Sequence, residues 1–75
     1  KKVVIIDDDK DLVKLIAYAF KSEGIETEKF YTGKEALSFI LEEKNLSNIA
    51  LIVLDRLLPD MEGIELLKKI NEKNK

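Results

Sequence analysis

Residues 3–9 read Val3-Val4-Ile5-Ile6-Asp7-Asp8-Asp9: four β-branched apolar residues stopped by three carboxylates. An apolar run without polar alternation reads as a strand buried on both faces, the signature of a parallel sheet. From Asp11 the period changes, and Leu12, Val13, Ile16, Ala17, Ala19 and Phe20 recur at helical spacing, with Asp11, Lys14 and Lys21 on the other side. Asp9 is suited to cap this helix, and Gly24 to end it in the left-handed conformation.

The same alternation continues outward. Ile25 to Tyr31 is polar with apolar ends and reads as a short edge strand. Thr32-Gly33-Lys34-Glu35 fits the capping box, in which hydroxyl and carboxylate satisfy each other's orphan backbone donors. A helix with Ala36, Leu37, Ile40 and Leu41 inward follows. Ile49 to Leu54 is the most apolar stretch and ends in Asp55; Pro59 breaks the connection beyond it. From Gly63, Ile64, Leu66, Leu67 and Ile70 make a last helix, expected to fray over Asn71 to Lys75. Strand and helix alternate three times, which calls for right-handed crossovers and a parallel sheet covered on both faces: an α/β fold.

Composition excludes much. The chain has 75 residues with no Cys and no His, so zinc fingers, catalytic triads and redox motifs are out of reach. Thirteen Lys and Arg against 15 Asp and Glu give a net charge of −2, no footprint for nucleic acid. No apolar run approaches the roughly 18 residues of a membrane span, and the start (Lys1, Lys2, four apolar residues) is no signal peptide. The expected location is cytoplasmic, with neither membrane nor nucleic acid as partner. A chain of this size buries only about 60% of the surface its unfolded form exposes, so its core is thin. With no initiator Met, it reads as trimmed or cut from a longer protein.

In an open α/β sheet, ligands bind at the carboxyl ends of the strands. Two strands end there in carboxylates, the first in Asp7-Asp8-Asp9 and the third in Asp55. Neighbouring strands lie about 4.8 Å apart, so at least three carboxylates would crowd one edge. Such crowding raises carboxylate pKa values unless a cation sits among them, and hard oxygen ligands suit Mg²⁺ or Mn²⁺. An acidic run before a helix can equally be only a cap favoured by the helix dipole. Asp55, ending a six-residue apolar run, favours a site.

After Asp55, Pro59 follows four residues on and Gly63 eight residues on. With Val3-Val4-Ile5-Ile6-Asp7-Asp8-Asp9, this pattern resembles the receiver domain of two-component response regulators along the whole chain. The resemblance implies a flavodoxin-like fold with strand order 2-1-3 over the part present. It implies Asp55 as phosphoacceptor and as one of the Mg²⁺ ligands, Asp8 as direct Mg²⁺ ligand, Asp7 acting through water, and the backbone carbonyl of Leu57 as a further ligand. It also implies a histidine kinase as phosphoryl donor, and a protein that accepts a phosphoryl group rather than an enzyme. Pro59 and Gly63 would shape the loop after the acceptor.

Two departures stand out. The segment from Ala36 to Asp55 is a few residues longer than is usual in the family, with Asn45-Leu46-Ser47-Asn48 expected as an extra loop. The family's fourth and fifth strands, which bring a Ser or Thr and a Lys to the phosphoryl oxygens, have no counterpart, so residues 1–75 read as about half of a receiver domain. The third strand, interior in the family, would then be an open apolar edge from Ile49 to Leu54, a template for pairing with a second copy of the chain. A homodimer through that edge is expected, with a domain-swapped exchange as the other arrangement. Mg²⁺ binding is expected to be weak and phosphorylation poor.

Two other readings stand beside this one. An excised half-domain could fold and self-associate without activity. An apolar strand followed by Asp-x-Asp also resembles haloacid-dehalogenase-like phosphatases, with Asp7 as nucleophile and Asp9 as acid/base. Lys10 and Asp11 replace the residues that motif expects next, and the Asp55 to Gly63 pattern stays unexplained by it. The glycines, Gly24, Gly33 and Gly63, cannot form a phosphate-binding glycine loop.

Overall fold

Strand β1 (Lys2–Ile6) sends alternate side chains to opposite faces of the sheet, and each face collects its own helices. In the computed structural model, which describes residues 1–73, Val3 and Ile5 pack on Val13 of helix α1 (Lys10–Ser22). Val4 and Ile6 face the other way. They pack with Ala36 and Ile40 of α2 (Gly33–Ile40) and with Leu66 and Ile70 of α4 (Gly63–Lys73), with Leu58 between. All four of these β1 residues are buried, which is why the strand shows no polar alternation.

Strands β2 (Thr27–Phe30) and β3 (Ile49–Leu54) flank β1, both parallel to it, in the order β2-β1-β3. The fold is α/β with a parallel three-stranded sheet and helices on both faces. In register, Ile6 stands beside Phe30 on one side and Leu54 on the other. A shift between Lys2 and Val3 leaves Ala50 as an extra residue in β3. The three strands therefore end level with one another.

The caps fall where the residues ask for them. Asp9 accepts the Leu12 N–H at 3.2 Å, and Gly24 takes φ +77° after α1. Thr32 Oγ1 accepts the Glu35 N–H at 3.3 Å, but the Glu35 carboxylate accepts from the Thr32 hydroxyl at 3.1 Å rather than from the Thr32 backbone N–H, so only half of the expected reciprocal box forms. Other expectations are corrected. Leu12 and Ala19 are exposed, because the packed face of α1 runs through Val13, Ile16, Ala17 and Phe20. The strand expected from Ile25 to Tyr31 is limited to four residues; Ile25 instead donates its N–H to the Phe20 carbonyl in the turn after α1. The loop expected at 45–48 is partly a helical turn, α3 (Glu43–Leu46), closed when the Asn45 side-chain amide donates to the Phe39 carbonyl at 2.8 Å. Helix α4 holds through Lys73 rather than fraying from Asn71; Asn74 and Lys75 lie outside the described residues.

Along β3 one side is bonded to β1, and no described strand pairs with the other. Leu51, in register with Val3 on the α1 face, is 50% exposed there, and on the opposite face Ile64 and Leu67 of α4 stand exposed beside Ile52 and Leu54.

Candidate functional site

The level ends of β1 and β3 bring Asp7, Asp8 and Asp55 together. The Asp7 N–H donates to the Phe30 carbonyl at 3.1 Å, and the Asp55 N–H to the Ile6 carbonyl at 2.9 Å, so the sheet ladder continues one residue into the acidic edge. Each of the three carboxylates offers an oxygen within 4.8 Å of the others. Asp7 and Asp55 are half-buried and Asp8 is exposed. Asp7 Oδ1 also accepts the Asp9 N–H at 3.0 Å, which folds the strand end into the start of α1. Asp9 is engaged as the α1 cap and is not in the cluster.

Among the described residues no Lys or Arg forms an ion pair with this edge. The ion pairs among the described residues are Lys2–Glu28 at 3.0 Å and Lys44–Glu42 at 3.9 Å, neither involving the cluster. An octahedral ion bound at about 2.0–2.1 Å needs oxygens roughly 3–4 Å apart, with water completing the shell. Three carboxylates within 4.8 Å fit such an ion after small side-chain rotations, and the all-oxygen donor set suits Mg²⁺.

Beyond Asp55 the chain turns back on itself. The Gly63 N–H donates to the Arg56 carbonyl at 2.8 Å, Leu57 bridges Glu62, and the Leu58 N–H donates to the Met61 carbonyl at 3.0 Å. A Cβ on Gly63 would sit 2.7 Å from the Asp55 carbonyl oxygen, so only glycine allows this close approach. Pro59 lies at the tip of the loop, and Leu57 is the second residue after Asp55, in the outgoing arm.

The sequence alone gave no sign of what Asp60 does. Its carboxylate accepts the N–H groups of Gly33 at 2.7 Å and Lys34 at 2.8 Å, and these bonds hold its pKa below the ordinary carboxylate range. The partners lie 26 and 27 residues away, beyond any local pattern. Elsewhere, the hydrogen bond and charge of Glu28 raise the Lys2 pKa.

The family described as "Response regulator receiver domain" matches residues 3–75. The chain belongs to this family. Among relatives of the receiver, the regulatory protein VanRc of Enterococcus gallinarum is 36% identical over 72 residues, covering 96% of this chain and 29% of VanRc. The regulatory protein VanR of Enterococcus faecium is 36% identical over 73 residues, 97% of this chain and 30% of VanR. A solved receiver domain of the Francisella response regulator 1452 superposes with TM-score 0.84 at 37% identity, covering 97% of this chain and 57% of that one. A signal receiver domain from Vibrio parahaemolyticus gives TM-score 0.84 at 33% identity, covering 97% and 53%. The chain thus spans under a third of the curated relatives and a little over half of the solved receivers. Among the described residues no helix is long and apolar enough to cross a membrane.

Proposed function

We propose that Asp55 is the phosphoacceptor of this receiver and that Asp7, Asp8 and the Leu57 backbone carbonyl hold Mg²⁺ beside it. The observation that carries this reading is the set of three carboxylates within 4.8 Å of one another at the carboxyl edge of the sheet, with no ion pair to any of them among the described residues. Held by these residues, Mg²⁺ would supply neutralisation of the negative charge that develops in phosphoryl transfer. The residues do the rest. A carboxylate oxygen of Asp55 attacks phosphorus and forms the new O–P bond, while the N–P bond of a donor phosphohistidine breaks and the imidazole nitrogen keeps the electron pair. The half-buried Asp55 is fixed for this by its strand and by Gly63 against its carbonyl. The chain is thereby the acceptor in a transfer from a histidine kinase; it is itself located in the cytoplasm and is not an enzyme in its own right.

Acetyl phosphate tests the reading, because its acetate leaves with the electron pair just as imidazole does. Incubation with Mg²⁺ and rapid quenching should add one phosphoryl group, slowly and for a short time, and Asp55→Asn should remove it. Incorporation that survives Asp55→Asn, or that ignores chelation of Mg²⁺, would contradict the assignment.

The open side of β3 supports a second part of the proposal, that the 75-residue chain pairs with a second copy of itself. Antiparallel β3–β3 pairing about a two-fold axis would satisfy the unpaired backbone groups and shield part of Leu51 on one face of the sheet and part of Ile64 and Leu67 on the other. Light scattering across a dilution series should report a mass that falls from dimer to monomer. A folded monomer at every concentration would overturn it.

A further inference from the structure

The loop after Asp55 is a miniature hairpin. The Arg56–Gly63 hydrogen bond closes its base, the Leu57–Glu62 bridge and the Leu58–Met61 hydrogen bond form its arms, and Pro59-Asp60 is its tip. That tip is anchored far from its own segment. Asp60 Oδ1 accepts from Gly33 and Oδ2 from Lys34, so a single carboxylate takes two of the orphan donors that open α2. Met61 reinforces the contact: Gly33 is buried, and a Cβ there would stand 2.6 Å from Met61 Sδ. Thr32 meanwhile caps the Glu35 N–H locally, so α2 has a cap of its own independent of the hairpin.

We infer that Asp60 is a positioning residue for the cation site, clasping the hairpin tip to α2 so that the Leu57 backbone is held beside Asp7, Asp8 and Asp55. The inference rests on the reading of Asp55 given above and adds to it a residue outside the acidic edge. The hairpin is gripped at its base by Gly63 against the Asp55 carbonyl. Buried Leu58 grips the middle. The Leu57 side chain itself, 67% exposed, has no hold on the core. The Leu57 carbonyl shares its peptide plane with the Leu58 N–H that bonds Met61, so releasing the tip would loosen the pairing that fixes this plane, and a carbonyl whose plane can tilt is a poorer ligand. Hydrogen bonds between a carboxylate and backbone N–H groups at 2.7 and 2.8 Å are of the short, charge-assisted kind that can resist such tilting.

Mg²⁺ titration calorimetry on the full chain tests this, with amide hydrogen exchange as the structural readout. Wild type should bind Mg²⁺ and Asp8→Asn should not. Asp60→Ala should weaken binding by about tenfold, the low end of what supporting residues around metal sites cost. Asp60→Asn, which keeps one acceptor, should fall between and serves if Asp60→Ala does not fold. In both, the Gly33 and Lys34 amides should lose protection. Thr32→Ala weakens the same helix terminus without touching the hairpin and should leave Mg²⁺ affinity unchanged. Wild-type affinity in Asp60→Asn or Asp60→Ala despite lost Gly33 and Lys34 protection would overturn the inference alone. An equal loss in Thr32→Ala would also overturn it, by reducing the effect to helix stability. Binding that Asp8→Asn does not alter would overturn the reading of the site, and the inference with it.

Discussion

Removing one charge from the acidic edge should stabilise the chain in chelator and destabilise it, relative to wild type, in Mg²⁺. Asp8→Asn is the suitable change, because Asp8 is exposed and close in size to Asn. Its carboxylate lies within 4.8 Å of those of Asp7 and Asp55. At that separation two unit charges in water repel by about 0.9 kcal/mol, and physiological salt, with a Debye length of about 8 Å, cuts this to roughly 0.5 kcal/mol. The Asp7–Asp8 repulsion persists in part in the unfolded chain because the two are neighbours, whereas the Asp8–Asp55 repulsion exists only when β1 and β3 are paired. The gain from Asp8→Asn in chelator is therefore about 0.5–1 kcal/mol, a rise in Tm of roughly 2–8 °C for a domain of this size. Mg²⁺ stabilises wild type by RT ln(1 + [Mg²⁺]/Kd), so the two melting curves should cross at about one to four times the Kd. Thermal unfolding followed by circular dichroism over a Mg²⁺ series measures this. If Asp8→Asn is neutral or destabilising in chelator, or if Mg²⁺ raises the Tm of both proteins equally, the three carboxylates are not a repulsive cluster awaiting a cation.

Leu66 is fully buried among the residues that face Val4 and Ile6, so Leu66→Ala should cost about 2–5 kcal/mol in urea unfolding, much of the stability of a chain this small, and a cost below about 1 kcal/mol would refute the packing. Leu51→Lys places a charge on the open β3 edge and should hold the chain monomeric at concentrations where wild type scatters as a dimer; an unchanged dimer would put the interface elsewhere. Asp60 has a lowered pKa in the folded state, so its contribution to stability is present above the unfolded value of about 3.9 and is lost as pH falls through the lower folded value. Acid unfolding of Asp60→Asn should accordingly be less steep below about pH 4 than that of wild type, and identical profiles would show the clasp is absent in solution. Lys2 works in the opposite sense: its pKa is raised, so its bond to Glu28 stabilises below the unfolded value of about 10.4 and is lost as pH rises through the folded value, an alkaline limb that Glu28→Gln should flatten.

How much of this could be read in the sequence depended on whether the cause was local. Val3 to Ile6 announced a strand covered on both faces because each of its residues is in fact buried, alternately against α1 and against α2 with α4. Asp9, Gly24 and the Thr32–Glu35 box are caps whose partners lie within a few residues, and they were legible for that reason. Asp7, Asp8 and Asp55 could be brought together on paper because parallel neighbours ending level must present their next residues side by side. The α1 face was blurred, since Leu12 and Ala19 share helical spacing with the buried set and only the sheet decides which stripe it receives. The turn of α3 was hidden in a polar segment with no apolar period, held instead by Asn45 reaching back to Phe39. Asp60 was the furthest from view. Its two partners stand on another helix, and no residue near it in the chain records them.

Binding of a divalent cation where β1 and β3 end is tested most directly by paramagnetic broadening with Mn²⁺ in amide NMR spectra. With substoichiometric Mn²⁺, the amides of Asp7, Asp8, Asp9, Asp55, Arg56 and Leu57 should broaden first, while Lys2 and Ile49 at the far end of the same strands stay sharp; excess Mg²⁺ should restore the lost signals. Broadening centred instead on the exposed acids Glu42 and Glu43 of the α3 turn, or spread evenly over the surface, would contradict it.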